Sequence, residues 1–181
     1  DTIPMPMLPD DDLVPMPRRA VFVHGAGGGA FEWVAWVRSW QAQGWTVHCP
    51  ELAPVPEGLA ATRFEDYRAQ VWSDIGQAGG PCVLVGASLG GLLALACAGH
   101  PYVRAVVLVN PVPPRDFVSA LPPATAEAVK AWSRTASLAG TARALPDADP
   151  ATWAHVWRLW RDESGEVLRE VRAGIVVHRP A

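Results

Sequence analysis

The sequence predicts an α/β fold, a mostly parallel sheet flanked by helices. Three observations carry that expectation. Four short apolar runs, near 20–23, 46–49, 82–85 and 103–109, alternate with segments whose apolar residues recur at helical spacing. A Gly-x-Ser-x-Gly turn stands between the third run and an alanine-rich helix, and a glycine-rich loop follows the first run. Strands that alternate with helices in this way need right-handed crossovers, and such sheets bind ligands at the carboxyl ends of their strands. Both glycine-rich segments fall at such ends.

Residues 1–19 hold five prolines and the acidic cluster Asp10-Asp11-Asp12, which predicts an extended arm that crosses the surface or leads into a short edge strand. Ala20-Val21-Phe22-Val23 reads as a buried strand. A helix is expected from about Phe31 to Gln43, where Trp33, Trp36, Val37 and Trp40 share a face as core packing and Gly44 ends the run. A strand near Thr46–Cys49, a proline-rich loop to Leu59 and a helix from about Phe64 to Gly76 follow. Cys82-Val83-Leu84-Val85 is a buried strand, Gly91–Ala98 a helix, and Val103–Val109 the fourth strand. Beyond Asn110 the chain turns proline-rich and then alanine-rich, which predicts a helical cap over 113–172 and a return to the core over 173–181, with 20–112 as the core. Trp153, Trp157 and Trp160 stand at i, i+4 and i+7, an aromatic stripe that reads first as the packed face of one helix and second as a cleft wall.

The chemistry concentrates at Gly86-Ala87-Ser88-Leu89-Gly90. A turn of this kind forces its serine into a strained backbone conformation and sets the hydroxyl clear of the sheet, while the glycines let strand and helix pass closely. Ser88 is therefore the candidate nucleophile. Acyl transfer to a serine needs N–H donors for the oxyanion of its tetrahedral intermediate. Leu89 N–H is one candidate; the loop His24-Gly25-Ala26-Gly27-Gly28-Gly29 supplies the other, Ala26 N–H. The same loop lacks the G-x-G-x-x-G spacing of a dinucleotide site and the Gly-Lys-Ser/Thr ending of a P-loop.

With these residues in place, the chain resembles the α/β-hydrolase family. Val23-His24-Gly25-Ala26, Gly29-Ala30-Phe31-Glu32-Trp33 and Trp45–Leu52 are similar to the branch that holds plant-type methylesterases, hydroxynitrile lyases and small bacterial esterases, although Glu51 stands where that branch more usually has aspartate. The strand Val106–Asn110 is similar to the one after the family's nucleophile helix. The resemblance is close over residues 20 to 112 and looser beyond. It implies an esterase-type serine hydrolase acting on a carboxylic ester or thioester, with Ser88, Ala26 and Leu89 in the roles above. The alternative it leaves open is a non-catalytic or lyase-like member that holds a carbonyl ligand in the same cradle.

A serine hydroxyl needs a histidine base, and that histidine needs a carboxylate. The family places both after the cap, so the resemblance implies that they lie outside this sequence, in a C-terminal segment or second chain that also completes the sheet. Within the sequence, Asp116 is the candidate acid, six positions past the strand, and His155 the candidate base, with His178 the other histidine in reach. His24 and His48 read as structural, and His100 sits at a helix end where a cation is favoured.

Composition narrows the rest. Of 181 residues half are hydrophobic, enough for one core. A net charge of −3 with a single lysine, Lys130, argues against a nucleic-acid surface. No stretch has the length of a membrane span without interruption, and a cytoplasmic location is expected. Cys49, Cys82 and Cys97 read as buried thiols, no Cys/His spacing suggests a metal site, and no cofactor is expected.

Overall fold

Alternation of side chains along two central strands sets the whole arrangement. The computed structural model describes residues 18–120 and 125–177. In β1 (Arg19–Val23) and β3 (Cys82–Ala87) every residue from Ala20 to Val23 and from Cys82 to Gly86 is buried, so both sheet faces are covered, as a parallel sheet requires. β2 (Thr46–His48) and β4 (Val103–Val109) flank them in the order β2-β1-β3-β4, and every pairing is parallel. Of the arm expected over residues 1–19, residues 1–17 lie outside the described residues and Arg19 opens β1.

Odd and even positions of β1 face different cores. Val21 and Val23 meet Leu84, Leu92 and Leu93, together with Val71 and Ile75 of α2 (Phe64–Gln77). Ala20 and Phe22 meet Val83, Val85 and Trp33 on the other face. There Phe22 is fully buried, with the rings of Trp33 and Trp40 each 5.1 Å from its own. Burial of such a ring contributes about 1.5–3 kcal/mol.

The tryptophan stripe expected in the core is only half covered. Its helix divides into a 3-10 turn (Ala30–Trp33) and α1 (Val34–Ala42); Trp33 is buried, but no residue of α1 is, and Trp36 is 39% exposed. The reason is the width of the sheet. α1 lies beside β2, a three-residue edge strand, which offers too little surface to cover a whole helix face.

After β4 the chain forms a 3-10 segment (Arg115–Ala120) and then a two-stranded antiparallel pair, β5 (Val129–Lys130) with β6 (Glu163–Ser164). Between these strands lie α4 (Trp132–Thr135), α5 (Leu138–Ala144) and α6 (Pro150–Leu159). α6 starts where the Asp149 carboxylate accepts from the N–H groups of Ala151 and Thr152, with Pro150 at its first turn. α7 (Gly165–Ala173), inside the stretch expected as cap, packs Val167 and Val171 into the core beside α2.

The expected stripe of Trp153, Trp157 and Trp160 turns towards α4 and α5. Trp160 is the C-cap of α6, with helical φ −53° and extended ψ 132°, so the helix ends there while its side chain keeps its place on the helix face. Each indole donates separately: Trp153 to Leu145 O, Trp157 to Ala136 O and Trp160 to Thr141 Oγ1. The three side chains tie α6 to α4 and α5. Among the described residues no helix is long and apolar enough to cross a membrane, and all three cysteines are free, Cys82 and Cys97 buried and Cys49 half-buried.

α3 (Leu89–Ala96) crosses the end of β1 at backbone contact: a Cβ added at Gly90 would sit 2.2 Å from Val23 O. Neither partner is a flexible side chain, so neither can move aside. Gly90→Ala should therefore lower stability in urea unfolding by at least ~2 kcal/mol. Gly99→Ala, where a Cβ meets nothing within 4 Å, should change it by less than ~0.5 kcal/mol.

Candidate active site

Ser88 stands between β3 and α3 with φ 52° and ψ −118°, a conformation that L-residues rarely adopt. Its neighbours hold it there. Ser88 N–H donates to Val109 O (3.1 Å), and Ser88 O accepts from Gly91 N–H and from Val112 N–H (2.9 Å). A Cβ at Gly86 would lie 2.2 Å from Gly90 O, and one at Gly91 would lie 2.7 Å from the Pro111 Cβ. Backbone strain of about 1–3 kcal/mol persists only when the surroundings over-determine it in this way. The outcome is an exposed Ser88 hydroxyl at the first turn of α3.

The glycine-rich loop reaches the same place from the end of β1, since a Cβ at Gly25 would stand 3.2 Å from the Ser88 Cβ. Carboxylates take up three of the N–H groups between His24 and Ala30. Gly25 donates to Glu32 (3.1 Å), Gly27 to Glu163 (3.0 Å) and Ala30 to Glu51 (2.8 Å), while Gly28 donates to Gly25 O. The Ala26 N–H has no partner among the described residues. Nor does the Leu89 N–H, which as the first of α3 has no intrahelical acceptor. Of the loop's donors near Ser88, the one from the candidate pair is thus left free for a ligand.

Ala26 and Ser88 form part of the wall of a cleft of about 610 Å³, whose opposite wall is Trp132, Ser137, Thr141 and Trp160. A larger groove, about 700 Å³, lies elsewhere, between α2, α7 and residues 174–177. It contains neither Ser88 nor the loop, so the candidate nucleophile opens on the smaller cleft.

The candidate acid and base are not brought to Ser88. Asp116 is exposed in the 3-10 segment after β4, His155 is exposed on α6, and neither lines the cleft. His178 lies outside the described residues. Among the described residues no histidine lines the cleft and the Ser88 hydroxyl makes no hydrogen bond. His100 is not the helix-end cation the sequence suggested: Tyr102 N–H donates to its Nδ1, and burial holds it below the ordinary histidine value.

The sequence reading missed the groups that hold the loop. Tyr67 donates to Glu163 Oε1 (2.9 Å), as does Ser164 N–H (2.8 Å). Burial pushes the Glu163 carboxyl above its ordinary value against the pull of these bonds, and burial also pushes up the Tyr67 phenol, which therefore keeps the proton it donates. Arg161 adds a second fastening. Its N–H donates to Gly27 O (2.7 Å), and its guanidinium reaches Gly28 O, Leu52 O (2.9 Å) and Glu51. Sequence separations of 136 for Gly27 with Glu163 and 110 for Arg161 with Glu51 leave no local signal.

His24, expected to be structural, has its tautomer fixed. Leu52 N–H donates to Nε2 (3.1 Å), so Nδ1 carries the proton and donates to Gly25 O (2.8 Å). Glu51 Oε2 stands 3.9 Å from Nε2, outside hydrogen-bond range. Burial holds His24 below the ordinary histidine value, which agrees with a neutral ring.

A model of the "Alpha/beta hydrolase family" matches residues 20–179. Among solved structures, tomato methylketone synthase I is 18% identical, with a TM-score of 0.68 over 90% of this chain and 74% of that one. A monoacylglycerol lipase of Paleococcus ferrophilus is 19% identical, with a TM-score of 0.61 over 86% of this chain and 65% of that one. An extracellular α/β-hydrolase of a Paenibacillus species is 22% identical, with a TM-score of 0.48 over 55% of this chain and 42% of that one. The chain thus spans about two fifths of the length of the Paenibacillus protein. No curated protein sequence matches it.

A lowered histidine value means that the folded state resists a proton which the unfolded state accepts, so the stabilisation is complete above pH ~6.5 and is lost as pH falls below it. His24→Gln removes this titration and gives up the Nδ1–H that donates to Gly25 O, at a cost of about 1 kcal/mol. In denaturant titrations the stability gap between wild type and His24→Gln should be widest near pH 7.5 and narrow towards pH 5.5. A gap constant across that range would show that His24 is not held neutral.

Proposed function

The chain belongs to the α/β-hydrolase family, and we propose that within it the chain is an esterase-type serine hydrolase acting on a carboxylic ester or thioester. The observation that carries this reading is the convergence at one cleft of a strained, exposed Ser88 and a loop whose Ala26 N–H is free while its neighbours are taken. Ser88 Oγ attacks the carbonyl carbon, and the developing oxyanion is received by the Ala26 and Leu89 N–H groups. Collapse of the tetrahedral intermediate breaks the C–O or C–S bond, and the alcohol or thiol leaves with a proton. Water then attacks acyl-Ser88, releases the carboxylic acid and restores the hydroxyl.

The base and its carboxylate are supplied, in this reading, by a segment that continues the sheet. β4 supports it: the strand pairs only with β3 among the described residues, and Val107 and Leu108 are 37% and 38% exposed. An open apolar edge of this kind invites a further strand. No metal or cofactor enters the proposal, and a cytoplasmic location belongs to the same reading.

A second reading has one observation in its favour. With no histidine lining the cleft among the described residues, the cradle could hold a carbonyl ligand without covalent chemistry, as a binding or lyase-like member of the family.

Intact mass before and after a fluorophosphonate separates the two. A single adduct on wild type, absent from Ser88→Ala, together with at least ~10³-fold loss of p-nitrophenyl ester turnover and unchanged unfolding in that variant, is the expected result for the hydrolase. Turnover retained by Ser88→Ala would refute it. Ligand binding with no adduct on wild type would leave the second reading.

A further inference from the structure

Among the described residues that line the cleft with Ser88, one carries a full charge. Ala26, Trp132, Ala136 and Trp160 make its wall apolar, the hydroxyls of Thr135, Ser137 and Thr141 are neutral, and Lys130 is the exception. Lys130 is also the sole lysine of the chain. Among the described residues no carboxylate lines this cleft.

The backbone of Lys130 is fixed in relation to the nucleophile. β5 pairs with β6 in the register Lys130 with Glu163, and Glu163 binds Gly27 in the loop that also presents Ala26. One two-stranded unit therefore sets both the loop and the lysine. The ammonium itself is held more loosely. Its partner is Glu127 at 2.9 Å, three residues away on the same segment, with the two side chains 36% and 59% exposed. Exposed pairs of this kind contribute little and are readily exchanged.

A cation beside a largely apolar wall, paired only with an exposed carboxylate of its own segment and opposed by no carboxylate among the described lining residues, favours a ligand that brings its own negative charge. We propose that Lys130 determines specificity by selecting substrates that carry a carboxylate, so that the ester or thioester hydrolysed is a half-ester of a dicarboxylic acid or another acid-bearing acyl compound. The proposal rests on Ser88 as the reacting group only for the word substrate; the preference for an anion is a property of the cleft.

Two amides that differ by one charge test it without turnover. Adipamate bears a carboxylate at one end, and adipamide bears an amide there instead. In calorimetric titrations adipamate should bind wild type about tenfold more tightly, equivalent to ~1.4 kcal/mol. Lys130→Gln should bring the ratio close to one, Lys130→Arg should restore most of it, and added salt should shrink it in wild type. Thermal unfolding of both variants checks that the fold is kept. Equal affinities in wild type, no binding of either amide, or a preference that survives Lys130→Gln would overturn the proposal. A fluorophosphonate adduct on Ser88 alongside any of those outcomes would leave the hydrolase reading standing, whereas a Lys130-dependent preference without an adduct would fail that reading alone.

Discussion

Everything at this site depends on two backbones passing each other without side chains between them. Gly86 and Gly90 let the turn after β3 close on itself and on the end of β1, and any added carbon there meets a carbonyl oxygen at 2.2 Å. That contact brings the glycine-rich loop against Ser88, and it lets Val109 and Val112 grip the serine's peptide groups from the β4 side. The strained conformation of Ser88 is thus the result of close packing among three strand ends. A single methyl group at Gly90 would disturb all three.

The loop beside Ser88 is ordered by charge. Three glutamates accept from its N–H groups, and each comes from a different part of the chain: Glu32 from the turn that follows, Glu51 from the loop after β2, Glu163 from β6. Buried carboxylates are costly unless hydrogen-bonded. Here Glu163 accepts from three donors, which offsets that cost and also fixes which peptide groups remain free. Arg161 links Glu51 to the loop's carbonyls, so donors and acceptors of the same stretch, Gly25 to Ala30, are both engaged.

The parts legible in the sequence are those whose signals are local. β1, β3 and β4 show as apolar runs, and the turn at Ser88 shows because its glycines and its serine are adjacent in the chain. Phe64–Gln77 is legible from helical periodicity. The tryptophans misled because periodicity reports that a face is apolar and says nothing about how much sheet lies under it. α1 found only the short edge strand β2. Arg161, Glu163 and Tyr67 were illegible for a different reason: each acts on a loop or partner about a hundred residues away, and nothing beside them in sequence marks the contact.

The two strands β5 and β6 span only two residues each, yet between them they carry α4, α5 and α6. Because Arg161 and Glu163 reach from this narrow base into the glycine-rich loop, the helical layer is not an exchangeable module. A lineage could vary the outward faces of α4 to α6 freely, but replacing the layer as a block would also discard the fastenings that shape the loop. Inheritance of the helical layer and of the loop beside Ser88 is therefore coupled through two residues at the layer's base.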